Sequence, residues 1–92
     1  MLIEHKAFSG GNFQSVGLVP DVGLKVYTVG IGLPGEYEFV ALLGAEVITI
    51  IDGVATINGT VLTVGKTIRI ANGKTVRILA EEPFAYHCRF MR

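Results

Sequence analysis

Between its glycines the chain breaks into short runs in which apolar and polar positions alternate, and almost none of it carries the three-to-four spacing of an amphipathic helix. Phe84 to Met91 alternates most strongly. Phe84, Tyr86, Cys88 and Phe90 fall on one face, and Ala85, His87, Arg89 and Met91 on the other. Leu24 to Ile31 follows the same rule, with Lys25, Tyr27, Val29 and Ile31 opposite Leu24, Val26 and Thr28. Glu36 to Val40 reads as a short strand after the Pro34-Gly35 turn. Val47-Ile48-Thr49-Ile50-Ile51 is apolar on both faces, which predicts a strand buried on both sides. The runs are rich in Val, Ile and Thr, residues that suit a pleated, half-buried surface.

Turn signals punctuate these strands. Asn58-Gly59 separates Val54–Ile57 from Thr60–Val64, and Asn72-Gly73 separates Thr67–Ala71 from Lys74–Ala80. Both pairs predict hairpins, because Asn-Gly supplies the positive φ angles of a type I′ turn. Asp52-Gly53 is a third candidate turn. Short strands with regular turns predict an all-β sandwich or barrel with little or no helix. No internal repeat, linker or low-complexity segment interrupts residues 1–92, which read as a single domain.

Composition narrows the function classes. Half of the 92 residues are hydrophobic and 17% are charged, too apolar a mixture for a disordered chain. A surface patch covered by a second copy is expected from it. Eight basic and eight acidic side chains balance to a formal charge of zero, which argues against a nucleic-acid binder. The single cysteine, Cys88, rules out an internal disulfide and suits a reducing compartment. No apolar run approaches the roughly 20 residues of a membrane span, and Met1-Leu2-Ile3-Glu4-His5-Lys6 lacks a signal peptide's basic start and apolar core. A cytoplasmic location is the expectation.

Two glycine-punctuated stretches have the spacing of the two cupin motifs. Gly35 plus five residues reaches Ala41-Leu42-Leu43, where a cupin has its histidines; Glu46 follows, then six residues, then Gly53. Gly65 plus five residues reaches Ala71-Asn72-Gly73, and Val76 takes the last histidine's place. Glu46 alone remains of the usual metal set. Phe8-Ser9-Gly10, Ser15-Val16-Gly17, Gly35-Glu36-Tyr37-Glu38-Phe39, Glu46, Gly53, Glu82-Pro83 and Cys88-Arg89-Phe90 then occur in order. Over about residues 8–90 this set resembles the pyrimidine/purine nucleoside phosphorylase family of small single-domain cupins. The resemblance implies a jelly-roll-like cupin β-barrel and a homodimer. It implies phosphate-dependent cleavage of purine and pyrimidine nucleosides to free base and pentose 1-phosphate. The chain departs from the family over residues 18–34, in a shorter hairpin at Asn58-Gly59, and at Ala71–Val76, where Lys74 and Val76 replace a small hydroxyl residue and a ring.

Phosphorolysis asks for a held phosphate, tolerance of positive charge on the sugar, and a hydrogen bond to the departing base, all within reach of positioning and electrostatics. Arg89 is the first phosphate candidate, since a guanidinium fork fits phosphate oxygens; a snorkelling or ion-paired strand arginine is the other reading. Lys25 is a weaker phosphate candidate. Glu46 is the catalytic candidate, for ribose hydroxyls or acid–base work, or else a structural ion pair. His87 shares the face of Arg89 and is a candidate donor or an ordinary half-exposed histidine. Tyr37 and Tyr86 are candidates for stacking on a base, though aromatics at strand spacing also fill cores. Cys88 reads as a buried small hydrophobe. The two histidines, His5 and His87, lie far apart in sequence, so neither metal nor other cofactor is expected beyond phosphate as co-substrate. Gly10-Gly11 and Gly30-Ile31-Gly32 precede no helix and are not nucleotide loops. Two alternatives stay open: a non-enzymatic cupin that binds a sugar or nucleotide, and a metal-dependent cupin using Glu46 with unorthodox ligands.

Overall fold

The computed structural model of the chain describes residues 2–19, 27–42 and 44–91. Ten strands run through them, with one three-residue 3-10 turn at Ser9–Gly11. In chain order they are β1 (Leu2–Phe8), β2 (Phe13–Val19), β3 (Tyr27–Gly32), β4 (Gly35–Val40), β5 (Ala45–Asp52), β6 (Ala55–Ile57), β7 (Thr60–Leu62), β8 (Thr67–Ile70), β9 (Thr75–Ala80) and β10 (Phe84–Met91). A six-stranded sheet has the order β1-β2-β3-β10-β5-β8, and a four-stranded sheet the order β4-β9-β6-β7. All pairings are antiparallel. The fold is all-β and jelly-roll-like, with open rather than closed sheets. No helix among the described residues is long and apolar enough to cross a membrane.

Side-chain alternation decides what each sheet buries. Phe13, Ile48, Ile50, Phe84 and Tyr86 of the large sheet meet Tyr37, Ile57, Val76 and Ile78 of the small one in a single core. Each such side chain contributes about 1.5–3 kcal/mol on burial. The inner face of β10 is the expected one, Phe84, Tyr86, Cys88 and Phe90, and the other face carries the exposed Arg89 and Met91. In β5 the expectation of burial on both sides does not hold. Ile48 and Ile50 are fully buried, but Val47 and Thr49 are half-buried and Ile51 is exposed, because none of the described strands packs on the outer face of the large sheet.

The two Asn-Gly turns part company. At Asn58-Gly59 both φ angles are positive, +48° and +82°, and β6 pairs with β7 as a hairpin. The Asn58 side chain also ties the turn to β9, accepting from Arg77 N at 2.8 Å and donating to the Thr75 carbonyl at 3.0 Å. Asn72-Gly73 closes no hairpin: β8 pairs with β5 in the large sheet, and β9 pairs with β4 and β6 in the small one. It is a sheet-to-sheet crossing with a positive φ at Gly73 alone. Lys74 N bonds to the Ala71 carbonyl at 3.1 Å, and the turn docks on the β4–β5 connection through Ala41 N to the Lys74 carbonyl at 2.9 Å.

Candidate functional site

On the inner face of the large sheet, registered rows of side chains cross the strands. Lys6 of β1 lies opposite Ser15 of β2, Ser15 opposite Gly30 of β3, and Gly30 opposite Tyr86 of β10. One row on, Thr28 lies opposite Cys88, and Cys88 opposite Ile48. Gly30 and Gly32 make room on this surface for the aromatic rings of β10. A methyl group at Gly30 would overlap the Tyr86 ring, and one at Gly32 the Phe84 ring. Both rings therefore lie across β3 toward β2, and Phe84 reaches Phe13 with centroids 6.1 Å apart.

A cavity of about 280 Å³ lies between the sheets. That is close to the roughly 300 Å³ at which small-molecule pockets begin. Phe8, Phe13, Phe39 and Phe90 supply its aromatic wall, and Phe13 stacks on Phe8 at 5.4 Å and on Phe39 at 6.1 Å. Its polar wall is Lys6, Ser15, Thr28, Glu46, Tyr86 and Cys88. Glu46, Thr28, Tyr86 and Cys88 are all buried and form the closed end, whereas Phe8, Val40 and Leu42 are exposed and mark the mouth.

Electrostatics sharpen this picture. The Cys88 thiol donates to Oε1 of Glu46 at 3.2 Å. Burial, with Cys88 and Glu46 nearby, holds the Tyr86 phenol far above its ordinary range, so it stays a neutral donor. The Thr28 hydroxyl is buried without a hydrogen-bond partner among the described residues. Lys6 brings positive charge to the rim; its ammonium lies 3.3 Å from Glu4 Oε1, and its side chain is 54% exposed.

Of the residues singled out from the sequence, Glu46 alone of the five site candidates lines this cavity, and Tyr86 joins it. Arg89 does not reach it. The alternation that turns Cys88 and Phe90 inward turns Arg89 outward, where it is exposed opposite Tyr27 and Val47. His87 shares that outer face and stacks on Tyr27 at 5.5 Å, so it too is remote from Glu46. Tyr37 is a core residue, packed on Phe13 at 5.0 Å, with its hydroxyl donating to the Leu33 carbonyl at 2.7 Å. Lys25 lies outside the described residues. No residue of the Ala71–Val76 turn lines the cavity, and Val76 is buried in the core. Lys6, Ser15 and Thr28 were missed from sequence; the signal for Thr28 was its place on β3, the strand that ends in Gly30 and Gly32, and for Ser15 its place on the partner strand β2.

The cavity does not suit a cupin metal. In the sequence Ala41, Leu43 and Val76 stand at the cupin histidine positions, and Glu46 and Cys88 offer two donors where a cupin metal takes four. No three His, Cys, Asp or Glu side chains converge among the described residues.

An open two-sheet β fold around an aromatic-lined cavity defines a small cupin-like protein. Solved structures agree. A protein of unknown function from Vibrio parahaemolyticus matches with a TM-score of 0.81 at 24% identity, over 99% of this chain and 100% of that one. A DUF1255 protein of unknown function from Acinetobacter sp. ADP1 matches with a TM-score of 0.80 at 21% identity, over 96% and 90%. A cupin-2 domain from Rhodospirillum rubrum matches with a TM-score of 0.67 at 15% identity, over 94% and 67%. At these identities the likeness is one of fold. No family model and no curated protein matches the chain.

Proposed function

We propose that the chain is a nucleoside phosphorylase of broad base tolerance, with this cavity as its site and inorganic phosphate as second substrate. The observation that carries the reading is the division of the cavity wall, aromatic on one side and polar on the other. Phe8, Phe13 and Phe39 offer stacking faces that accept any base, because every base has a π-face. Glu46 and Thr28 face the sugar. Lys6, at the rim, takes the phosphate role in place of the outward-facing Arg89. A phosphate oxygen bonds to the anomeric carbon as the carbon–nitrogen bond breaks. The bonding pair leaves on the base nitrogen, which gains the proton that phosphate brings. Glu46 offsets positive charge developing on the sugar, and neutral Tyr86 supplies a hydrogen bond.

A non-enzymatic binding cupin is the second reading. The pairing of Lys6 with Glu4 favours it, since the rim cation is already partly neutralised. In both readings two copies pair over the outer face of the large sheet, where Ile3, Val16, Ile31 and Met91 are exposed. Base release from a nucleoside panel with and without inorganic phosphate decides between them. Release only with phosphate supports the enzyme, and tight binding without release supports the binding protein.

A further inference from the structure

The closed end of the cavity holds polar groups from three neighbouring strands: Thr28 on β3, Cys88 on β10 and, one inward position further along and opposite Phe90, Glu46 on β5. Cys88 sits between the other two, registered opposite Thr28 and hydrogen-bonded to Glu46 at 3.2 Å. All three are at least nine-tenths buried, with relative exposures of 6%, 1% and 5%. Buried hydroxyls in proteins are normally paired, because an unpaired one forfeits its water without return. The Thr28 hydroxyl faces this cavity and has no partner among the described residues. A ligand group is what completes it.

The chemistry of that group follows from the surroundings. A carboxyl group on the floor of an apolar pocket disfavours an anion there. The Phe39 and Phe90 walls disfavour a strongly hydrated cation. What remains is a neutral group able both to donate to a carboxylate and to exchange a hydrogen bond with a threonine. A sugar hydroxyl does both, and two adjacent hydroxyls satisfy Glu46 and Thr28 together, since a carboxylate accepts several hydrogen bonds at once. The apolar faces of the sugar ring then rest on the phenylalanine rings.

We infer that the Thr28–Cys88–Glu46 cluster is a subsite for the vicinal hydroxyls of a ribose ring, and that it makes the protein favour ribonucleosides over 2′-deoxyribonucleosides. The inference rests on the reading of the ligand as a nucleoside and adds its sugar specificity. Losing the 2′-hydroxyl leaves Thr28 unpaired again, and a site built to hydrogen-bond a hydroxyl discriminates against the analogue that lacks it. Thr28→Val keeps the side-chain shape and removes the hydroxyl.

The test measures the affinities of uridine and 2′-deoxyuridine by calorimetry for the wild type, Thr28→Val and Glu46→Gln, alongside phosphate-dependent base release from both. The expected result is at least five-fold tighter binding of uridine by the wild type. Thr28→Val brings that ratio near one while 2′-deoxyuridine affinity holds, and Glu46→Gln weakens uridine more than its deoxy analogue. Equal wild-type affinities, equal weakening of both ligands by Thr28→Val, or binding of neither overturns the inference. The phosphorylase reading is separable: phosphate-dependent release from both nucleosides alike keeps the enzyme and rejects the subsite, whereas ribose-selective binding with no release keeps the subsite and rejects the enzyme.

Discussion

Across strands β10 and β5 the thiol of Cys88 donates to Oε1 of Glu46 at 3.2 Å, at the closed end of a cavity that also holds Thr28 and Tyr86. This pair positions the carboxyl group that the proposed chemistry uses. Cys88 is therefore more than the buried small hydrophobe its sequence suggests. Cys88→Ala removes the donor and leaves a small void. A loss of about 1–2 kcal/mol is expected in urea unfolding, the sum of a missing hydrogen bond and an unfilled sulfur volume. An unchanged midpoint would show that the pair contributes nothing.

Thr28→Val is expected to act in the opposite direction on stability. Its hydroxyl is buried without a partner among the described residues, so replacing it by a methyl group removes an unsatisfied polar atom. The variant gains about 1 kcal/mol in the ligand-free protein, seen as a higher melting temperature. A lower melting temperature would mean that the hydroxyl is satisfied in solution.

Gly30→Ala tests how the cavity is formed. The added methyl group overlaps the Tyr86 ring, which lies directly over Gly30. Displacing that ring costs about 1–3 kcal/mol, the range for overpacking a core, and shifts the polar wall. Both a reduced unfolding midpoint and weaker ligand binding are expected. Normal values for both would contradict the packing described.

Tyr86 also predicts a pH dependence. Burial raises its folded-state pKa above the ordinary 10.0, so the unfolded chain loses the phenolic proton first. The contribution is fully present below pH 10 or so and is lost progressively as pH rises above it, at up to about 1.4 kcal/mol per pH unit for one proton. Urea midpoints measured between pH 8 and pH 11 should fall less steeply for Tyr86→Phe than for the wild type. Parallel falls would place the alkaline sensitivity elsewhere.

Much of this fold is legible in the chain, and the failures have physical causes. The period-two pattern of Phe84–Met91 gives the inner face of β10 residue by residue, because apolar and polar positions separate cleanly there. Asn58-Gly59 identifies its hairpin because both residues adopt positive φ. Asn72-Gly73 carries the same dipeptide but joins strands that pair in different sheets, and strand partners are chosen by sheet packing rather than by the turn. The outward aim of Arg89 is legible in the same alternation that places Cys88 inside. Lys6 was not readable, since β1 is an edge strand exposed along its length and shows no contrast between faces. Its role depends on the β1–β2 register, which sets it opposite Ser15.

The most direct test of the central claim is base release from uridine and adenosine, with and without inorganic phosphate, for the wild type, Lys6→Met and Arg89→Ala. Release by the wild type only with phosphate is predicted. Lys6→Met should raise the KM for phosphate several-fold, and Arg89→Ala should leave it unchanged. No release by the wild type from either nucleoside would contradict the phosphorylase. Phosphate-dependent release insensitive to Lys6 but lost with Arg89 would place the anion on the outer face and contradict the site.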